Sequence, residues 1–125
     1  MTTDTDGGGR LRRALRRIGA TADQVEAVEL QQQTLDAGCT LIASCAVGSK
    51  IDVTGTLRTV TLRPQGGVPA LEAELYDGSG RVRLVWLGRR QIAGVAPGRA
   101  MTAHGRLTNQ RGVLTVYNPA YELRA

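Results

Sequence analysis

The apolar positions of this chain change their period once, close to Gly38. Before it they are helical. Leu11, Leu15 and Ile18 fall at i, i+4 and i+7, which predicts a short helix over 10–18 with one apolar stripe, ended by Gly19. Thr21 followed by Gln24 has the form of a capping box and opens a second helix through Val25 and Val28 towards Leu35, closed by Gly38. Residues 1–9 have no such pattern and read as a flexible lead-in, so residues 10–38 form a helical N-terminal extension. After Gly38 the texture alternates. Residues 40–47 are expected to make a short strand leading to a turn at Gly48-Ser49. Ile51, Val53, Gly55 and Leu57 then share one parity, and Val60 and Leu62 the other. The slip between Leu57 and Val60 predicts a bulge in one long, bent strand, with Gly55 easing the bend. Residues 63–69 are expected to be a loop.

The next segment specifies its own partner. Leu71, Ala73 and Leu75 alternate with Glu72, Glu74 and Tyr76, Asp77-Gly78-Ser79-Gly80 turns, and Val82, Leu84 and Trp86 alternate with Arg81 and Arg83. With Gly78-Ser79 as the two-residue loop, Leu75 faces Val82, Ala73 faces Leu84 and Leu71 faces Trp86 on one side. On the other side Glu74 faces Arg83 and Tyr76 faces Arg81. One register satisfies both faces.

Residues 89–95 are expected to form a short helix ended by Gly94 or by Pro97-Gly98. Met101, Ala103 and Leu107 mark a fourth strand, and Asn109-Gln110-Arg111-Gly112 turns into a fifth, Val113 to Tyr117, stopped by Asn118-Pro119. A bent strand, a hairpin, a small helix and two further strands are the element order of an OB-fold. The expected fold class is therefore all-β with an N-terminal helical extension. Its domain, residues 39–125, is a five-stranded Greek-key barrel with a short helix between strands three and four. The expected interior is Ile51, Val53, Leu57, Leu71, Leu75, Val82, Leu84, Trp86, Met101, Leu107, Leu114 and Val116.

Particular residues carry a family resemblance. These are Val-Thr-Gly-Thr-Leu-Arg in the first strand, Leu-Tyr-Asp-Gly-Ser-Gly-Arg-Val-Arg-Leu-Val-Trp-Leu across the hairpin, Pro-Gly-Arg before the fourth strand, His-Gly-Arg-Leu within it and Tyr-Asn-Pro-Ala-Tyr at the end. The stretch 51–121 resembles nucleic-acid-binding OB-folds of the tRNA-anticodon type, among them the wedge domain of the helicase RecG. The chain as a whole resembles small stand-alone OB-fold proteins of actinobacteria. No helicase motor follows, so the resemblance implies the barrel and not a remodelling activity. It implies a binding face on strands two and three, framed by the loops between strands one and two and between four and five. On this chain that face offers Tyr76, Arg81 and Arg83, flanked by Arg58. The first loop adds Arg63 and Gln65, the second Asn109, Gln110 and Arg111.

Composition agrees with a β-rich binding module. The 125 residues hold 16 glycines and few aromatics, namely Trp86, Tyr76, Tyr117 and Tyr121, so turns are many and the core is aliphatic. The net charge is +5 and unevenly placed. Residues 1–20 carry five Arg against two Asp, residues 21–50 one Lys against four acids, and residues 51–125 ten Arg against five acids. A basic balance suits an anionic partner, although a skew towards Arg over Lys also follows from a GC-rich genome. The four acids of the second helix can neutralise the first helix as readily as the first can meet a ligand.

Each candidate has two readings. Arg83 either meets phosphate or forms a cross-strand ion pair with Glu74, and Glu72 and Glu74 would repel phosphate on the same face. Tyr76 either stacks a base or makes a cation–π contact with Arg81. Trp86 shares the parity of the core, and His104, the one histidine, sits on a polar parity and reads as a surface residue. Cys39 and Cys45 lack the further ligands of a zinc site and read as thiols that oxidation could join. Neither Ser nor Cys stands in a nucleophile motif, so no catalytic, metal or cofactor role is expected. The leading expectation is a non-catalytic, cytoplasmic protein that binds single-stranded DNA or RNA with little sequence preference. A protein-interaction or regulatory module, with the barrel as scaffold and the helical N-terminus as docking element, is the alternative. Less favoured is an anionic-membrane binder using Leu11, Leu15, Ile18 and the arginines around them, a stripe without Trp or Phe.

Overall fold

The computed structural model describes residue 19 and residues 21–125. The lead-in of residues 1–9 and the helix expected over 10–18 lie outside the described residues. Helix α1 spans Ala22–Asp36. Seven strands follow: β1 Lys50–Gln65, β2 Val68–Tyr76, β3 Arg81–Leu87, β4 Ala100–Arg106, β5 Thr108–Gln110, β6 Val113–Tyr117 and β7 Ala120–Leu123. They make one open mixed sheet in the order β5-β6-β3-β2-β1-β4-β7. Only β3 and β6 run parallel within it.

The capping box forms as the sequence requires. Gln24 N donates to Thr21 Oγ1 at 3.1 Å, and Thr21 N donates to Gln24 Oε1 at 2.8 Å. The helix buries Val25, Leu30 and Thr34, while Leu35 stays exposed. Thr34 Oγ1 donates to Thr54 O of β1 at 3.0 Å, which ties α1 to the sheet.

Strand β1 is the long, bent strand expected. Its first half pairs with β4 and its second half with β2. The ladder shifts between Leu57 and Thr59, which leaves Arg58 as the extra residue of a bulge. Gly55 lies where a Cβ would stand 2.4 Å from Tyr76 O, so the bend brings two backbones closer than a side chain permits.

The hairpin register is the expected one, with Leu75 opposite Val82, Ala73 opposite Leu84 and Leu71 opposite Trp86. Asp77 is buried in its turn and accepts from Ser79 N, Ser79 Oγ and Gly80 N through Oδ1, and from Ile42 N through Oδ2. Eleven of the twelve expected interior residues are buried, and Leu114 packs against them partly exposed. Trp86 is among the buried ones, its Nε1 donating to Pro119 O at 3.1 Å and its ring edge-on to Tyr121.

Four expectations need correction. Residues 40–47 are not a strand. Ile42 is buried in a 3-10 turn, Ile42–Ser44, and Asp77 and Ser79 take the backbone donors of Ile42 and Ala43 that a neighbouring strand would need. Residues 63–69 are not a loop. Strands β1 and β2 run on as a paired arm, Pro64 opposite Pro69 and Gln65 opposite Val68, closed by Gly66 and Gly67 with positive φ. Residues 89–95 form no helix, because Ile92 and Val95 anchor separately in the core around a turn at Gly94. Finally, the sheet has more than five strands. Asn109 and Gln110 belong to β5, and β7 pairs with β4 beyond Asn118-Pro119. Cys39 and Cys45 are free thiols; partial burial, then the charge of Asp77, pushes the Cys45 thiol up.

Candidate nucleic-acid interface

The phase slip at Arg58 decides which side chains share the outer face of the sheet. Past the bulge, Thr59, Thr61 and Arg63 lie opposite Glu74, Glu72 and Ala70, and on the next strand Arg83 lies opposite Glu74. All of these but Ala70, with Arg81 and Val113, line a cleft of about 200 Å³ over β1, β2 and β3. Among the sequence candidates, Arg63, Arg81 and Arg83 are therefore brought together. Thr59 and Thr61 were missed, although their alternation with Arg63 is the signal that would have found them.

The two acids of the face are held by its cations. Arg83 Nε lies 3.6 Å from Glu72 Oε1, and Arg81 Nη1 lies 3.9 Å from Glu74 Oε1. The pair expected between Arg83 and Glu74 is thus replaced by two diagonal pairs, because twist brings residues two places apart on neighbouring strands within reach of long side chains. Glu72 is the more enclosed acid, 13% exposed, and it also accepts from Gln65 Nε2 at 2.9 Å. Arg81 is 71% exposed, so its long contact leaves most of its guanidinium to solvent. Arg63 has no ion pair among the described residues.

The remaining candidates stand apart. Arg63 and Gln65 lie on β1, and Asn109 and Gln110 on β5, rather than in loops. Asn109 Oδ1 accepts from Gly112 N at 2.7 Å, so it shapes the β5–β6 turn that presents Arg111. Tyr76 has a cation over its ring, and that cation is Arg58 and not Arg81: the Arg58 guanidinium carbon is 4.5 Å from the ring centroid. Arg58 also donates from Nη2 to Glu26 Oε1 of α1 at 2.8 Å. A second cleft, of about 400 Å³, is lined by Asp23, Glu26, Arg58, Glu74, Tyr76 and Arg81. The acids of α1 were not anticipated there. Nothing in the sequence pattern says which end of the helix meets the bulge.

Away from both clefts, His104 of β4 lies between Asp52 of β1 and Glu122 of β7, at 2.7 and 2.8 Å. The hydrogen bonds to Asp52 and then Glu122 push its pKa up. Among the described residues no helix is long and apolar enough to cross a membrane.

No protein-family model and no curated protein sequence matches the chain. Solved structures do. The chain is similar to RecG in a structure of that protein bound to a three-way DNA junction, with 20% identity and a TM-score of 0.51 over 62% of this chain and 11% of that one. It is similar to the p204 HINb domain, with 16% identity and a TM-score of 0.56 over 69% of this chain and 47% of that one. The chain thus spans a small part of the first and about half of the second. The likeness shows the fold: a mostly β, OB-like architecture with one helix among the described residues.

Proposed function

We propose that the protein is a non-catalytic nucleic-acid-binding module that takes single-stranded DNA or RNA with little sequence preference. On this reading β1, β2, β3, β4 and β6 correspond to the strands of a five-stranded OB barrel, with β5 and β7 as additions. The observation that carries the reading is the cleft in which Arg63, Arg81 and Arg83 converge beside Thr59 and Thr61. Arginines grip phosphate oxygens and threonine hydroxyls add hydrogen bonds, and none of these groups selects a base. Glu72 and Glu74 keep the affinity modest. The likeness in fold to a protein solved on a DNA junction supports the same class of ligand.

Fluorescence anisotropy with an oligo-thymidine strand, at two salt concentrations, tests this. Replacing Arg63 and Arg81 together by Gln is expected to weaken binding of all sequences alike. It should also flatten the plot of log K against log salt by about 1.4, or about 0.7 for each phosphate left without its arginine. Unchanged affinity in the double variant would remove the cleft from the site.

A second reading, a protein-interaction module, is favoured by one observation. Leu62 and Val68 are exposed on the paired arm, and Leu62, Pro64 and Pro69 line a further depression beside Arg90. On that reading Leu62→Ser with Val68→Ser would abolish the protein's interaction while the cleft variants leave it intact.

A further inference from the structure

Arg58 is held from two sides. Its guanidinium lies over the Tyr76 ring, and Glu26 of α1 accepts from it at 2.8 Å. A guanidinium stacked on an aromatic ring and bonded to an anion is the arrangement in which arginine grips a phosphate beside a stacked base. Here the anion is supplied by the protein. We propose that Arg58 and Tyr76 form a phosphate subsite at the end of the cleft, masked by the Glu26 carboxylate, which a strand phosphate displaces. This rests on the nucleic-acid reading given above and adds its regulation.

Three observations carry the proposal. First, the pair is open to solvent, Arg58 being 43% and Glu26 50% exposed, so an incoming anion can reach both. A pair this exposed is weak enough to be exchanged. Second, the exchange needs no movement of the helix. Helix α1 is fixed by Val25, Leu30 and Thr34 on its buried side and by Gln31 Nε2 donating to Gly78 O at 2.9 Å, so only the Glu26 side chain has to swing away. Third, the masking is local. Asp23, Glu26 and Glu74 outnumber Arg58 and Arg81 in this cleft, whereas Arg63, Arg81 and Arg83 outnumber Glu72 and Glu74 in the neighbouring one. A strand lying along the cations of the neighbouring cleft therefore meets repulsion at the α1 end until Glu26 yields.

Counterions give the proposal a signature. In the native protein a phosphate reaching Arg58 replaces a carboxylate that must then gather its own cation, so this contact adds little to the salt dependence. With Glu26 neutral the contact releases a counterion in full. The test is anisotropy with an oligo-thymidine strand across a salt series, comparing the full chain with Glu26→Gln, Asp36→Asn and Glu26→Gln combined with Arg58→Gln. Asp36 is an acid at the far end of the same helix, bonded to Gln32, and its replacement makes the same change in net charge. Glu26→Gln should tighten binding about threefold or more and steepen the salt slope by about 0.7. Asp36→Asn should leave the slope unchanged, and Arg58→Gln should cancel the gain. Equal tightening by Glu26→Gln and Asp36→Asn would mean long-range charge alone and overturn the mask. Binding by the native chain that Glu26→Gln does not improve would overturn it too, while leaving the nucleic-acid reading in place. Absence of binding by every form would overturn that reading itself.

Discussion

Asp77 and Gly78 show how much of the fold rests on two residues. The Asp77 carboxylate accepts from four donors, three in its own turn and one from Ile42, and so joins the hairpin to the segment that follows α1. Gly78 sits against α1 itself: a Cβ there would stand 2.0 Å from Ala27 O, and its φ is +88°. Gly66, at the tip of the arm, has φ of +56°, and a Cβ there would meet nothing within 4 Å. The two glycines separate strain from collision. Gly66→Ala is expected to cost about 1 kcal/mol, the strain of a left-handed residue. Gly78→Ala carries that strain and must also push the helix off the turn, so about 2–3 kcal/mol is expected. Urea unfolding of both variants checks this, and equal costs would mean that α1 does not bear on the turn. The sequence shows Asp-Gly-Ser-Gly as a turn because that signal is local. It does not show that Ile42 and Ala27 pack on it, since both partners are distant in the chain and neither is marked by its neighbours.

At the scale of elements, legibility follows the range of the contacts. The β2–β3 hairpin and the helix cap are specified within a few residues, and both form as the pattern requires. The bulge in β1 is readable as a change of parity, but its consequence is not: Arg58 turns onto Tyr76 because the ladder slips there, and Glu26 arrives from another element. The candidate site was therefore legible as a face carrying Tyr76, Arg81 and Arg83, with Arg63 assigned to a loop, and not as two clefts on the sheet. Strand β7 has four residues without a distinctive pattern, and it exists because the edge of β4 accepts it. His104 makes that edge sensitive to pH. Its pKa is raised in the folded protein, so its stabilising contribution is fully present below about 6.5, the ordinary value, and is lost as pH rises through the folded value. Hydrogen exchange of the β7 amides should accordingly be slower at pH 6 than at pH 8 once intrinsic rates are divided out. In His104→Gln that difference should vanish. Persistence of the difference in the variant would assign it to another group.

For the whole molecule the question is how charge divides between the two ends of the chain. Residues 1–20 contribute five arginines against two acids and residues 51–125 ten against five, with the acids of α1 between them. Attraction between a strand and charges it does not touch is long-ranged and fades beyond a Debye length, about 8 Å at 0.15 M salt. Contacts that a strand would make in the clefts are short-ranged, and stacking of a base on Tyr76 would be insensitive to salt. Deleting residues 1–19 removes three net positive charges and keeps Thr21 as the helix cap. If the sheet face is the binding site, the deletion should weaken binding of an oligo-thymidine strand in dilute salt, and most of that loss should disappear above about 0.15 M. The loss caused by Tyr76→Ala should persist at both concentrations, because it removes a stacking surface and the ring on which Arg58 rests. Anisotropy at the two salt concentrations separates these effects. Binding abolished by the deletion at high salt and untouched by Tyr76→Ala would reverse the assignment. The arginines of residues 10–17 would then be the anion-binding element, and the sheet would serve to hold them.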